Sequence, residues 1–407
     1  MSLSRPIIIA GAGVGGLTTA LALARHGLPV EVYERRTAEE IRTAPGSGLT
    51  LWSNASTPLG WLGLGDRLVA AADRVVAIES FDSAQKLRFR MSSHPYLWPG
   101  ALPSLSIGRM DLAEILMDAA EQRGIRVHHG RRVTGYRQSD QRVEALLDDG
   151  STVAGTALVG ADGVRSALLE QLHGSVPGIY LGRTTYRGVV AGTDGLVPEI
   201  PQLFHDDTTR VGGGVYRIGG DRAAWTLSWK APAGEREKPG RERDHALHLA
   251  RVLPAMLRDR VAATPSQAMI RTDIWYHEWH ERWGDGLVTL VGDAAHAMPN
   301  DLGQGACQAV EDGVVLADAL AAGDLTAAAG VAAALRDYER RRLERVKWVR
   351  QQSVQVATAA EPGNPAVRWL MGKLTRVYLA MAEKKMWQEM QRLPELAVRP
   401  DQVTPSR

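Results

Sequence analysis

The stretch Ile7-Ile8-Ile9-Ala10-Gly11-Ala12-Gly13-Val14-Gly15-Gly16 decides the fold. An apolar, β-branched run reads as a buried strand and stops at Gly11, where a tight turn is easiest without a Cβ. Gly13 leaves room for a pyrophosphate to approach the backbone, and Gly16 lets the following helix pack on the strand, with Gly15 between them. Leu17, Ala20, Leu21 and Ala24 recur at helical spacing, and Gly27 closes that helix. Its N-terminal N–H groups and dipole would face phosphate, an attraction of roughly 0.3–1 kcal/mol per exposed charge. A second strand, Val30-Glu31-Val32-Tyr33, ends at Glu34, about where an acidic residue holds an adenosine ribose, with Arg35 beside it. Strand, glycines, helix, strand and acid in that order predict an α/β, Rossmann-like dinucleotide-binding domain.

Composition limits what the rest can be. The chain has 407 residues, enough for two or three domains, and its 48 basic and 46 acidic residues leave a formal charge of only +2. Such a balance gives no electrostatic reason to expect nucleic acid as a partner. One cysteine excludes an internal disulfide framework and fits a cytoplasmic location, and the N-terminus carries no pattern of a secretory leader. No apolar run reaches the roughly 18–20 residues a membrane span needs. Eleven Trp against three Phe is a skewed aromatic usage, and indole rings suit a pocket for a flat molecule as well as an ordinary core.

The periodicity then changes along the chain. Residues 1–75, 104–179 and 272–350 read as the nucleotide-binding domain, including a helix at Met110 to Gln122 and a hairpin at Asp148-Asp149-Gly150. Residues 76–103 and 180–271 read as an interleaved β-sheet domain, with short alternating strands broken at Gly212-Gly213-Gly214 and Gly219-Gly220. In Ala224-Trp225-Thr226-Leu227-Ser228-Trp229, the residues Trp225, Leu227 and Trp229 share one face, Thr226 and Ser228 the other. Residues 351–407 read as a C-terminal helical region, with a helix-like stretch at Ala366 to Leu393. Leu335, Tyr338, Val346 and Val349 fall on one face of a helix whose basic side is expected in solvent.

Two further segments repeat the strand-then-glycine arrangement: Leu158-Val159-Gly160-Ala161-Asp162-Gly163, and Val291-Gly292-Asp293-Ala294-Ala295-His296 running on to Pro299 and Gly303-Gln304-Gly305. With the first segment, they resemble the single-component FAD-dependent aromatic hydroxylases, the family that includes para-hydroxybenzoate hydroxylase, over residues 5 to about 345. The resemblance implies FAD as cofactor. It implies that Asp162 and Arg165 lie near FAD and the route of the nicotinamide donor, and that Asp293 binds the ribityl and pyrophosphate region. The loop Leu302 to Gly305 would lie beside the flavin pyrimidine edge, with Gly48 near the isoalloxazine and Arg109 near the pyrophosphate. A helix starting there would direct its positive end at the flavin, where negative charge collects on reduction. Relatives commonly carry Pro-Pro-Asn where this chain has Pro299-Asn300-Asp301, so the turn loses one fixed φ and gains a carboxylate.

The chemistry the resemblance implies is monooxygenation. NADPH or NADH would transiently reduce FAD, O₂ would form a flavin C4a-hydroperoxide, and one oxygen atom would pass to a hydrophobic aromatic or indole-type small molecule. The wall of that pocket is expected on the second-domain sheet, with Tyr186 and Arg187 as catalytic candidates and Tyr216, Trp225 and Trp229 as substrate contacts. Alkene epoxidation on the same fold and a flavin-binding protein without turnover are the alternatives. No second glycine fingerprint for a nicotinamide nucleotide is present, Cys307 has no redox partner, and His277 and His280 lie at the wrong spacing for a metalloprotease site, so no metal is expected. A homodimer and a separate reductase are both open as partner arrangements.

Overall fold

Ile7–Ala10 is a strand at the centre of a six-stranded sheet ordered Gly284–Asp285, Val288–Leu290, Ala157–Gly160, Ile7–Ala10, Val30–Glu34 and Arg126–His129. This is a computed structural model, and it describes residues 5–93, 98–358 and 385–396. The last five strands run parallel. Parallel strands are covered on both faces, which is why Ile7, Ile8 and Ile9 are all fully buried rather than alternating.

Register brings the three sequence segments together. Ala10 lies opposite Gly160 and Tyr33, and Gly160 lies opposite Leu290. The turns after these strands, Gly11 to Gly13, Ala161 to Gly163 and Gly292-Asp293, therefore emerge side by side at the carboxyl edge of one sheet, next to Glu34. Ligands of open α/β sheets bind at that edge. The helix Val14–Arg25 leaves the first turn and packs along Gly305–Ala322, whose Gly313 comes so close to the backbone of Thr19 that a Cβ would lie 2.8 Å from its nitrogen.

The second unit is a seven-stranded sheet ordered Ile270–Tyr276, Ile179–Ala191, Arg222–Lys230, Gly212–Arg217, Gln202–His205, Ala77–Asp82 and Leu87–Ser92. The insertion at 76–103 thus supplies the last two strands at one end of the sheet. The expected boundary at residue 272 falls inside the strand Ile270–Tyr276, which pairs with Ile179–Ala191 and belongs to this sheet. Helices Glu242–Ala250 and Ala255–Ala263 cover one of its faces and enclose a separate apolar core with Tyr186, Trp225, Leu227 and Trp229. A three-stranded sheet of Gly48–Leu51, Leu105–Gly108 and Asp73–Arg74 joins the two units, Ser106 Oγ donating to the Arg217 carbonyl at 2.6 Å.

The helix Ala328–Thr358 packs Leu335, Tyr338, Val346 and Val349 inward as its periodicity predicts. Its basic side is not all solvated: Arg342 is 1% exposed and donates to Asp312 Oδ1 at 2.8 Å, with Glu311 as a second partner. Of the helix-like stretch 366–393, residues 366–384 lie outside the described residues, while 385–390 are helical. No helix among the described residues is long and apolar enough to cross a membrane.

Candidate active site

The glycines of the first turn divide into two kinds. Gly11 has φ +110°, and a Cβ there would lie 2.4 Å from the Ala161 carbonyl oxygen, so it permits the turn to cross the neighbouring strand end. A Cβ on Gly16 would lie 2.0 Å from the Gly11 carbonyl oxygen, and one on Gly15 would press Ala309 at 3.2 Å. These three serve the packing of turn and helix. Gly13 differs: a Cβ there would meet nothing within 4 Å, and no side chain caps the helix Val14–Arg25 behind it. An open space in front of uncapped N–H groups fits an anionic group such as a pyrophosphate.

Glu34, 5% exposed, accepts from Ala12 N at 2.8 Å and from Arg36 N at 3.0 Å, and it pairs with Arg36 Nε at 3.2 Å. It thereby fixes the glycine turn. Arg35 points to solvent. Asp162 accepts from Ala167 N at 2.8 Å at the start of the helix Ala167–His173, while Ser166 Oγ accepts from Leu169 N at 3.0 Å. Among the described residues the second oxygen of Asp162 is buried without a hydrogen-bond partner, and burial pushes its carboxyl above the ordinary range.

Asp293 and Arg109 form the opposite side. Both reach solvent, yet burial shifts both, which is the behaviour of groups on the wall of a recess rather than on a convex surface. Asp293 is raised by burial, with His296, His277 and Arg109 opposing. Arg109 is lowered by burial and by Arg36, with Asp293 opposing. A Cβ on Gly305 would lie 3.8 Å from Asp293 Oδ1, and Gly303 takes the left-handed φ of +61° next to the Trp52 indole. Pro299 opens the turn Asn300–Leu302, and Trp52 Nε1 donates to the Leu302 carbonyl at 3.1 Å. Gln304 belongs to the scaffold instead: it is fully buried and accepts from Asn54 Nδ2 at 3.1 Å and Gln308 Nε2 at 3.0 Å.

On the sheet, register separates the expected wall residues. Tyr186 lies opposite Leu227, Gly188 opposite Trp225 and Thr184 opposite Trp229, all on the helix-covered face. Tyr186 is fully buried, stacks on Trp229 at 4.8 Å and lies 3.4 Å from His245 Nδ1, while Trp225 donates to Thr264 Oγ1 at 2.9 Å. Tyr186, Trp225 and Trp229 therefore point away from the nucleotide-binding unit, contrary to the sequence expectation. The alternation was legible; which face the helices cover was not.

Arg187, Val189, Tyr216, Thr226 and Ser228 occupy the other face and are only half-buried. An added Cβ on Gly48 would meet the Tyr216 hydroxyl at 2.8 Å and Ala224 Cβ at 2.5 Å, so this face lies against the nucleotide-binding unit. Among the described residues the Arg187 guanidinium has neither a hydrogen-bond nor an ion-pair partner. Burial holds it below its ordinary range, Tyr216 opposing and Arg109 adding. Burial pushes the Tyr216 phenol up to about 12, Arg187 opposing. Among the described residues the Ser228 hydroxyl is buried without a hydrogen-bond partner.

Sequence reading missed the support beneath the third segment. Asp312 Oδ2 accepts from Gly292 N at 2.8 Å and contacts His296 Nε2 at 2.6 Å, while Arg345 Nε donates to Glu311 at 2.6 Å. Four charged residues on two helices gave the only signal, a partnerless-looking acid pair inside an apolar helix. Cys307 is a buried helical residue whose thiol burial pushes up to about 12. His277 and His280 are lowered by burial, and no three potential metal ligands are grouped among the described residues.

The family model described as FAD binding domain matches residues 4–353. The chain is 32% identical over 374 residues to the aurachin C monooxygenase/isomerase of Stigmatella aurantiaca, covering 91% of this chain and 94% of that protein. It is 32% identical over 381 residues to the 3-amino-4-hydroxybenzoate 2-monooxygenase PtnB3 of Streptomyces platensis, covering 87% and 88%. Among solved structures, a variant of HpxO from Klebsiella pneumoniae complexed with FAD superposes with a TM-score of 0.81 at 25% identity, covering 94% of this chain and 99% of that one.

Proposed function

Because the chain belongs to the FAD-dependent monooxygenases, we propose that it adds one oxygen atom to an aromatic or heterocyclic small molecule carrying an acidic oxygen, held by Arg187 and Tyr216. The observation that carries this reading is the half-buried Arg187, which has no carboxylate partner among the described residues and stands beside a phenol on the face turned to the nucleotide-binding unit. A guanidinium in such a place is costly unless an anion completes it. The substrate is therefore less purely hydrophobic than the sequence suggested.

The residues at the sheet edge fit FAD. The N–H groups behind Gly13 together with Arg109 would hold the pyrophosphate, Glu34 the ribose, Asp293 the ribityl chain, and the backbone of Gly303 to Gly305 the pyrimidine edge. When bound, FAD with a nicotinamide electron donor would supply the O₂ activation and oxygen transfer. Arg187 stabilises the deprotonated form of the substrate and orients its ring. Tyr216, kept protonated by burial, donates a hydrogen bond to the same oxygen. The helix Gly305–Ala322 presents its positive end to the charge that accumulates during turnover. Val189 and Ala224 give the same chamber an apolar side that limits water. The single buried Cys307 fits the reducing cytoplasm, where the nicotinamide donors are available.

The test is turnover of paired substrates by the FAD-loaded protein: hydroxybenzoates, hydroxyindoles and hydroxyquinolines against their methyl ethers. The proposal expects oxygenated product from the ionisable members and little from the ethers. Equal turnover of both would remove the role given to Arg187.

A further inference from the structure

Asp301, the carboxylate of the turn Asn300–Leu302, accepts from Arg183 Nη2 at 2.6 Å. The two side chains are 27% and 16% exposed, Arg183 first, and join positions 118 apart in sequence. One lies in the turn before Gly303, the other on the strand Ile179–Ala191 of the seven-stranded sheet. Arg183 follows Gly182, which has φ +73°, at a break in register with Ile270–Tyr276 between Tyr180 and Thr184. Bulges of this kind re-aim a side chain. Arg183 Nε is buried without a hydrogen-bond partner, so among the described residues Asp301 is what anchors the guanidinium.

The turn also packs on the helix Ala328–Thr358, and Leu302 rests on the main core. Its hydrogen bonds include Trp52 Nε1 to the Leu302 carbonyl at 3.1 Å and Gly303 N to the Asn300 carbonyl at 3.1 Å.

We propose that Arg183 and Asp301 are a positioning pair: the ion pair fixes the Pro299–Gly305 turn against the substrate sheet. The flavin-side turn is thereby set by the sheet that carries Arg187. This rests on the FAD-monooxygenase reading only for its consequence; the position of the turn can be read directly.

The experiment is amide hydrogen exchange of residues 300–304 in FAD-loaded wild type, Asp301→Asn, Arg183→Gln and the charge-swapped Arg183→Asp/Asp301→Arg protein. Each single variant should exchange about fivefold faster in this segment, and the swapped protein should return toward wild type. Redox titration of bound FAD with reference dyes gives a second readout. Asp301→Asn leaves a cation at the turn and should raise the potential, whereas Arg183→Gln leaves an anion and should lower it. Unchanged exchange in both single variants overturns the proposal. So does a swapped protein that exchanges as fast as the single variants or loses FAD with them. Protected exchange in a protein that oxygenates none of the paired substrates would count against the substrate reading alone.

Discussion

Gly13 and Gly16 stand three residues apart and predict opposite phenotypes. A methyl group at Gly16 enters the Gly11 carbonyl, so Gly16→Ala should destabilise the fold by about 1–3 kcal/mol, visible as a lower Tm of the cofactor-free protein. A Cβ added at Gly13 meets no atom of the described residues within 4 Å, so Gly13→Val should leave that Tm nearly unchanged while FAD is no longer retained. Equal loss of stability in both variants would contradict the division of roles. At the chamber wall, Arg187→Ala should lower kcat/KM for an ionisable substrate by roughly 10- to 100-fold, the worth of a hydrogen bond to a charged group, without changing FAD content. Tyr216 carries a pH prediction. Its folded-state pKa is raised from 10.0 to about 12, so its contribution is complete below pH 10 and is lost as pH rises through the folded value. Tyr216→Phe should therefore remove part of the fall in Tm across that alkaline window.

Among the elements, the helix Gly305–Ala322 carries the most consequence, because its acid pair Glu311 and Asp312 is fully buried. Burial opposes ionisation of Glu311 and Asp312, yet Arg345, Arg342 and His296 hold both carboxyls below their ordinary range. Their stabilising contribution is present above the unfolded carboxylate pKa and is lost as pH falls through the folded values. Arg342→Met, which leaves buried charge uncompensated, should cost about 3–5 kcal/mol in urea unfolding and loosen the Gly292-Asp293 turn that Asp312 holds. A variant with wild-type stability would mean that the network is better replaced than kept. This element also shows what sequence can and cannot give. Its start after Gly303-Gln304 was legible, because glycines and an apolar run define a helix start. Its ion pairs with Arg342 and Arg345 were not, because nothing local distinguishes a basic residue that faces solvent from one that meets an acid on another helix. The strand Arg222–Lys230 teaches the same lesson: period-two alternation separated Trp225 and Trp229 from Thr226 and Ser228, but only the helices 242–263 decided that the tryptophans face a core.

Across the whole molecule, parallel register explains why segments 150 and 280 residues from the first glycine turn converge. Strands ending at Ala10, Gly160 and Leu290 are adjacent, so their loops must share one edge. The seven-stranded sheet then brings Arg187 and Tyr216 toward that edge, with Tyr216 packed against Gly48. Long-range pairing of this kind is invisible to local pattern, and the strand Ile270–Tyr276 crossed a boundary that local pattern had drawn through it. The measurement that tests the account most directly is turnover of the FAD-loaded protein under ¹⁸O₂ with NADPH or NADH and a hydroxylated aromatic or heterocyclic substrate. The account predicts bleaching of the flavin by a nicotinamide donor, its return in oxygen, and one heavy oxygen atom in the product, all lost with Asp293→Ala. Flavin that is reduced and reoxidised with hydrogen peroxide as the sole oxygen product, across the ionisable substrates and both donors, would contradict it.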